Sequence, residues 1–376
     1  MKKCIVVSDS FKGTLSSLEI CAIAKECFKK LDPECELVTI PVADGGEGTV
    51  DSFVEALNAE RRTLTVSDPF GRPVEAQYAV KGSTAIIEMA SCAGLSLVGN
   101  TPDPGRATTY GVGELILDAV KSGCTEIKLG LGGSSTNDGG CGCAAALGTV
   151  FTDSEGKVFV PTGGTLSNIA KIDNSLTQER LAGVTITLIC DVDNPLYGPS
   201  GAAYTFAPQK GADAECVKFL DSELMALDAR LTETFGRSFA ELSGAGAAGG
   251  MGAGAVAFLG AKMQRGIDVV LDTVGFDEKL DGAELVITGE GRIDSQSVHG
   301  KVICGIAKRS AAKNIPLIAL VGGIDDSADC AYSEGISAMF SINRKAEAFC
   351  ESAPKSTENY RKTLEDIIRF ANVLIK

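Results

Sequence analysis

Four glycine-rich segments lie far apart in this 376-residue chain, at 43–49, 132–140, 244–254 and 288–294, and three of them also carry carboxylates. Glycine lets backbone N–H groups approach an anion closely, and neighbouring carboxylates can hold a divalent cation that bridges phosphate oxygens. A chain built this way is expected to make a phosphate and metal site, and the first reading is an enzyme that uses ATP.

At 376 residues the chain exceeds what one core usually serves, and its 44% hydrophobic content supplies two cores, so two domains are expected. A formal net charge of −14, with no basic run, argues against nucleic acid and anionic membranes as partners. No apolar run reaches the ~18 residues of a membrane span. The 13 cysteines are odd in number, and residues 1–10 read as a strand too short for a signal peptide, so reduced thiols in a cytoplasmic protein are expected. Cys141 and Cys143 form the tightest pair; with one histidine in the chain, packing is a better account of them than zinc. A homo-oligomer is compatible with the sequence.

Residues 3–8 read as a buried strand, and Ser16 with Glu19 makes a capping box for a helix to about Lys30. A second strand at 36–42 leads through the DGGEG loop into a helix with Val50, Phe53, Val54 and Leu57 on one face. The same alternation returns only at the C-terminal end, with strands at 284–288, 316–321 and 336–340 and helices at about 299–313 and 357–374. The predicted fold class is α/β: a flavodoxin-like parallel-sheet domain from both chain ends, 1–62 and 283–376, with a mixed α/β domain inserted at 63–282. Residues 63–98 suggest antiparallel strands, turning at Asp68-Pro69-Phe70-Gly71 and Lys81-Gly82. Helices are expected near 109–122 and 213–235, and a strand near 126–131. Ligands gather at the carboxyl ends of such strands, so a cleft between the domains is the expected site.

Gly244-Ala-Gly246-Ala-Ala-Gly249 matches the dinucleotide fingerprint letter for letter, but it follows a helix rather than a strand, which rejects a dehydrogenase. Its glycines, Gly250 included, either receive an anion at the start of a helix over about 253–264 or merely allow close packing. The 132–140 segment follows a strand and precedes an alanine-rich helix, which places Gly133, Ser134, Asn137 and Asp138 where a phosphate or carboxylate fits. The alternative is a solvent-facing turn capped by Asn137 or Asp138, and the density of small polar donors favours the anion site over it. Asp191 and Asp193 emerge at the end of the apolar run 184–189, as a base, a metal ligand or a proline turn. Lys210 offers a cation to a phosphate, or is an exposed, solvated lysine. There is no Walker pattern and no Gly-x-Ser-x-Gly elbow, and the single His299 makes histidine chemistry improbable.

Taken together, Asp9-Ser-Phe-Lys-Gly-Thr14, Pro41-Val-Ala-Asp-Gly-Gly-Glu-Gly-Thr49, the 133–140 and 208–211 segments, 244–252 and Thr288-Gly-Glu-Gly-Arg-Ile-Asp294 resemble the type I glycerate kinase family over the whole chain. Asp191 and Asn194 gain weight from it, since the family carries Asp-Val-x-Asn-Pro there. The resemblance implies phosphorylation of D-glycerate by ATP with Mg²⁺, usually at the 2-hydroxyl. In those terms Asp191 is the expected base, with Lys12 and Asp44 beside it in catalysis. Asp9, Ser10, Gly133, Ser134, Asn137, Asp138, Lys210, Gly246, Gly249, Gly250 and Arg292 are expected to bind substrate or phosphate, and Glu47, Glu290 and Asp294 to hold the metal. Two alternatives remain open to the sequence: transfer to the 3-hydroxyl or by a related small-molecule kinase, and a sensor of phosphorylated metabolites without turnover.

Overall fold

A computed structural model describes residues 1–11, 13–42, 48–295 and 302–374. Lys12, Asp44, Glu47 and His299 lie outside the described residues. In chain order the strands are β1 (Lys3–Ser8), β2 (Glu36–Pro41), β3 (Glu60–Ser67), β4 (Pro73–Lys81), β5 (Thr84–Glu88), β6 (Glu126–Gly130), β7 (Val150–Thr152), β8 (Val158–Phe159) and β9 (Lys171–Asp173). They continue as β10 (Thr185–Ile189), β11 (Lys262–Gln264), β12 (Leu285–Gly289), β13 (Arg292–Ile293), β14 (Leu317–Val321), β15 (Gly323–Ile324) and β16 (Ala338–Ser341).

Two compact units divide the chain, Met1–Asp44 with Glu55–Leu57 and Arg265–Lys376 in the first, and Gly45–Val54 with Asn58–Gln264 in the second. The chain returns to the first unit at Arg265 rather than near residue 283, because the helix Gly266–Thr273 belongs with it: Ile267 packs where a side chain on Gly305 would go, 2.8 Å from its ideal Cβ.

The first unit carries a parallel sheet ordered β2-β1-β12-β14-β16, the flavodoxin-like order expected from the sequence. The capping box forms as expected: Ser16 Oγ accepts from the Glu19 N–H at 3.2 Å and Glu19 Oε2 accepts from the Ser16 N–H at 2.8 Å, starting the helix Ser17–Leu31. That helix buries Ile20, Ala24 and Phe28, which join Val6, Ile287, Leu364 and Ile368 in the unit's core.

In the second unit the six-stranded sheet runs β11-β10-β6-β5-β4-β3. Its hairpins turn where the sequence signals them: Asp68 Oδ1 accepts from the N–H groups of Phe70 and Arg72, both at 2.8 Å, and Gly82 takes φ +59 between β4 and β5. The sheet is not purely antiparallel there, because β5 also pairs in parallel with β6, and β6, β10 and β11 continue in parallel. The helix after the glycine tract ends at Leu259, short of the expected 264, since Lys262–Gln264 is recruited as β11 beside Thr187–Ile189. Ile87, Leu129 and Leu188 of the sheet share a core with Leu115 and Leu147, and Cys141 and Cys143 are fully buried in it. Both are free thiols, as a packing role requires.

Candidate functional site

In the second unit three parallel strands end side by side, with Glu88 of β5 and Ile189 of β10 both in register with Gly130 of β6. The segments leaving these three strands therefore share one edge. After β6 the chain is pinned by Leu95 N–H to Gly133 O at 2.9 Å and by Ser135, whose N–H and Oγ both donate to Ala93 O, at 2.9 and 3.0 Å. The loop is not a solvent-facing turn: Ser134 is 7% exposed, Ser135 2%, and Thr136, Asn137 and Asp138 0%.

Asp138 has a different task from the ligand contact expected of it. Its carboxylate accepts from Thr109 N–H at 2.8 Å, Thr109 Oγ1 at 2.9 Å, and Gly140 and Gly142 N–H at 3.1 Å each, so its oxygens are spent on the protein's own donors. Burial pushes its carboxyl above the usual range, and these donors oppose the shift. Thr109 was not legible as a partner, because the pairing spans 29 residues of chain.

Lys210 is not an exposed, solvated lysine. It is 2% exposed, and its Nζ donates to Thr136 O at 2.7 Å and Ser134 Oγ at 2.9 Å. Burial drags its ammonium down to about 7, against the pull of the Asp138 charge.

The glycine tract resolves toward close packing. Ala248, Gly249 and Gly250 take φ of +53, +68 and +88 in succession, a left-handed turn that precedes the regular helix. Gly249 O accepts from Gly139 N–H at 3.1 Å, and a Cβ on Gly249 would sit 2.0 Å from Thr136 O. On Gly246 it would lie 2.3 Å from Pro195 O, and on Gly250 2.9 Å from Leu196 Cδ1. Gly246 and Gly249 serve backbone contact with Pro195 and Thr136, and Gly250 fits between the Leu196 side chain and the Gly139 backbone.

Asp191 is exposed just beyond β10, as expected of an acid at a strand end. Asp193 accepts from Ser243 Oγ at 2.5 Å, and Asn194 Nδ2 donates to Ser200 O at 2.7 Å, which ties the turn to the segments around it. Glu88, missed in the sequence, is 7% exposed and accepts from the Val50 N–H at the start of the helix Thr49–Leu57. Its only signal was an acid closing the apolar run Thr84–Glu88.

In the first unit β1 and β12 end together, Ser8 opposite Gly289. Ser8 Oγ donates to Asp9 O at 3.0 Å and to Gly289 O at 3.1 Å, Asp9 N–H donates to Gly289 O at 3.0 Å, and Asp9 Oδ1 accepts from Ser10 N–H at 2.6 Å. Glu290 is buried beside Thr288, whose buried Oγ1 has no hydrogen-bond partner among the described residues, and Asp294 is half-buried. Arg292 pairs with Asp325 at 2.5 Å. The Ser327 hydroxyl and N–H, with Arg292, hold the Asp325 carboxyl down at about 2. Arg292 thus already has an anionic partner, one that no local pattern in the sequence names.

For a divalent cation, Glu290 and Asp294 are hard oxygen donors of the type Mg²⁺ takes. The third expected ligand, Glu47, lies outside the described residues, and among the described residues no group of three or more His, Cys, Asp or Glu side chains is gathered to hold a metal. The donors fit in kind; the described residues alone do not complete a set.

The fold is an α/β architecture with glycine-rich loops at its strand ends, and the relatives supply its class, a small-molecule kinase. Residues 4–372 match the glycerate kinase family, and the chain belongs to that family. A Bacillus subtilis glycerate kinase is 43% identical over 97% of this chain and 96% of its own length. The Escherichia coli K12 glycerate 2-kinase is 41% identical over 90% of each. A crystal structure from Salmonella typhimurium LT2 assigned as a glycerate kinase 2 superposes with a TM-score of 0.88 at 38% identity, covering 99% of this chain and 98% of that one. The chain is a kinase, and a sensor without turnover is set aside. Among the described residues no helix is long and apolar enough to cross a membrane.

Proposed function

We propose that this kinase phosphorylates D-glycerate with ATP and Mg²⁺, giving 2-phosphoglycerate, in the cytoplasm. The observation that carries the reading is the 41% identity, over 90% of both chains, to a relative named glycerate 2-kinase. The acids and cations at the strand ends have the chemistry that phosphoryl transfer demands, which is mostly positioning and charge neutralisation.

In this reading Asp191, exposed beyond β10, takes the proton as the 2-hydroxyl oxygen bonds to the γ-phosphorus and the bond to the ADP oxygen breaks. Arg292 steadies phosphoryl charge, and Asp9 and Ser10 orient a ligand at the end of β1. Glu290 and Asp294, with Glu47, would hold Mg²⁺, which when bound supplies charge neutralisation to the phosphates.

The experiment is ADP release with D-glycerate and Mg·ATP, coupled to enolase without phosphoglycerate mutase. Immediate phosphoenolpyruvate is expected. Its appearance only after mutase is added would move transfer to the 3-hydroxyl, and no glycerate-dependent ADP would reject the substrate. Asp191→Asn should lower kcat by at least about 100-fold while D-glycerate still binds in calorimetry; unchanged turnover removes Asp191 from the role of base.

A further inference from the structure

Two buried polar groups of the second unit, Lys210 in the 208–210 turn and Asn137 in the loop after β6, lack what burial normally demands. Lys210 is 2% exposed, yet the partners of its Nζ, Ser134 Oγ and Thr136 O, are both neutral. Asn137, whose N–H shares a peptide group with the carbonyl that Lys210 holds, is 0% exposed, and neither Nδ2 nor Oδ1 has a hydrogen-bond partner among the described residues. A buried cation ordinarily has a counter-charge and a buried carboxamide ordinarily has partners, because leaving either without them costs far more than the net value of the bond. The Asp138 charge acts on Lys210 through space without forming an ion pair with it among the described residues, and burial outweighs that pull.

We propose that Lys210 and Asn137 form the subsite for the carboxylate of a short hydroxy-acid acceptor. The inference deepens the glycerate reading and rests on it. The ammonium meets the carboxylate's charge and Asn137 Nδ2 donates to one of its oxygens, while Oδ1 accepts from a hydroxyl on the same acid. One cation matches one carboxylate, whereas a nucleotide's phosphates carry several charges and ask for several cations. The complete burial of Asn137 likewise suits a small anion. The turn at 248–250 lies against Thr136 and Asn137, with Gly249 in backbone contact. Lys210 also carries a lowered proton affinity, which an incoming anion would reverse.

The test is calorimetric binding of D-glycerate and, separately, of MgADP to the full chain and to Asn137→Asp and Lys210→Met. Asn137→Asp is nearly isosteric and replaces a carboxamide donor with a negative charge, so it should exclude a carboxylate. Expected are at least a tenfold loss of D-glycerate affinity in both variants and MgADP affinity within twofold of the parent. Unchanged glycerate affinity overturns the subsite, and a selective loss of MgADP overturns it in favour of nucleotide phosphate. If the parent itself binds MgADP but no glycerate, the substrate reading has failed and the subsite falls with it. Amide exchange of the parent's 131–142 peptide covers the case of unfolded variants: slowing by D-glycerate alone supports the subsite, and slowing by MgADP alone refutes it.

Discussion

Lys210→Met tests the electrostatics of the second unit through its pH dependence. In the folded chain the Lys210 ammonium is pulled from 10.5 down to about 7 by burial. At about 1.4 kcal/mol per pH unit, that difference corresponds to an order of about 5 kcal/mol. Because the folded value is the lower one, the unfolded chain holds more protons between pH 7 and 10.5, and stability rises with pH across that window. Below about 7 both states are charged, and the folded state carries the whole penalty. Methionine removes the titration. It also orphans Ser134 Oγ and Thr136 O, an offset of about 1–3 kcal/mol for each group that does not vary with pH. The stability difference between parent and variant should therefore be flat below pH 7 and move in the parent's favour by about 3 kcal/mol between pH 7 and 9.5. Urea unfolding of both proteins at each pH, with amide exchange in the helix Ala214–Phe235 reporting the second unit, cancels titrations common to the pair. A difference that stays constant from pH 6.5 to 9.5 would refute the reasoning, since Lys210 would then be no harder to charge in the fold than in the unfolded chain.

Asp138→Ala strips the acceptor from Thr109, Gly140 and Gly142 at once and should cost about 3–5 kcal/mol, read from the urea midpoint. Gly249→Ala and Gly156→Ala separate backbone conformation from close approach. Both positions have positive φ, but only at Gly249 does the new Cβ meet a backbone oxygen, at 2.0 Å, while Gly156 has open space around it. The second should lose about 1 kcal/mol and the first at least twice that in the same denaturation assay. Glu88→Ala removes the acceptor at the first turn of the helix Thr49–Leu57 and should cost about 1 kcal/mol or more, with faster amide exchange at Val50 as its local signature.

The first unit was readable almost strand by strand. Its βα units are local, each closed by contacts within a few tens of residues, and the capping box at Ser16 and Glu19 marks a helix start within four residues of chain. Reading the second unit was harder. Whether 262–264 prolonged a helix or joined a sheet depended on Thr187–Ile189, a partner about 75 residues away, and local propensity carries no record of such a partner.

The sequence by itself determined the class of fold and the family, because hydrophobic period, turn chemistry and glycine-rich blocks are written in consecutive residues. Asp191 could be placed at a strand end on the same ground. The tertiary structure alone decided what the polar side chains of the blocks do. Asp138 became an internal acceptor, Arg292 the partner of Asp325, and Lys210 a buried cation bonded to the loop that carries Asn137, whose side chain has no hydrogen-bond partner among the described residues. Burial and hydrogen-bond partners come from segments that meet only when the chain has folded, and desolvation, which sets whether a lysine is solvated or strained, exists only after that meeting.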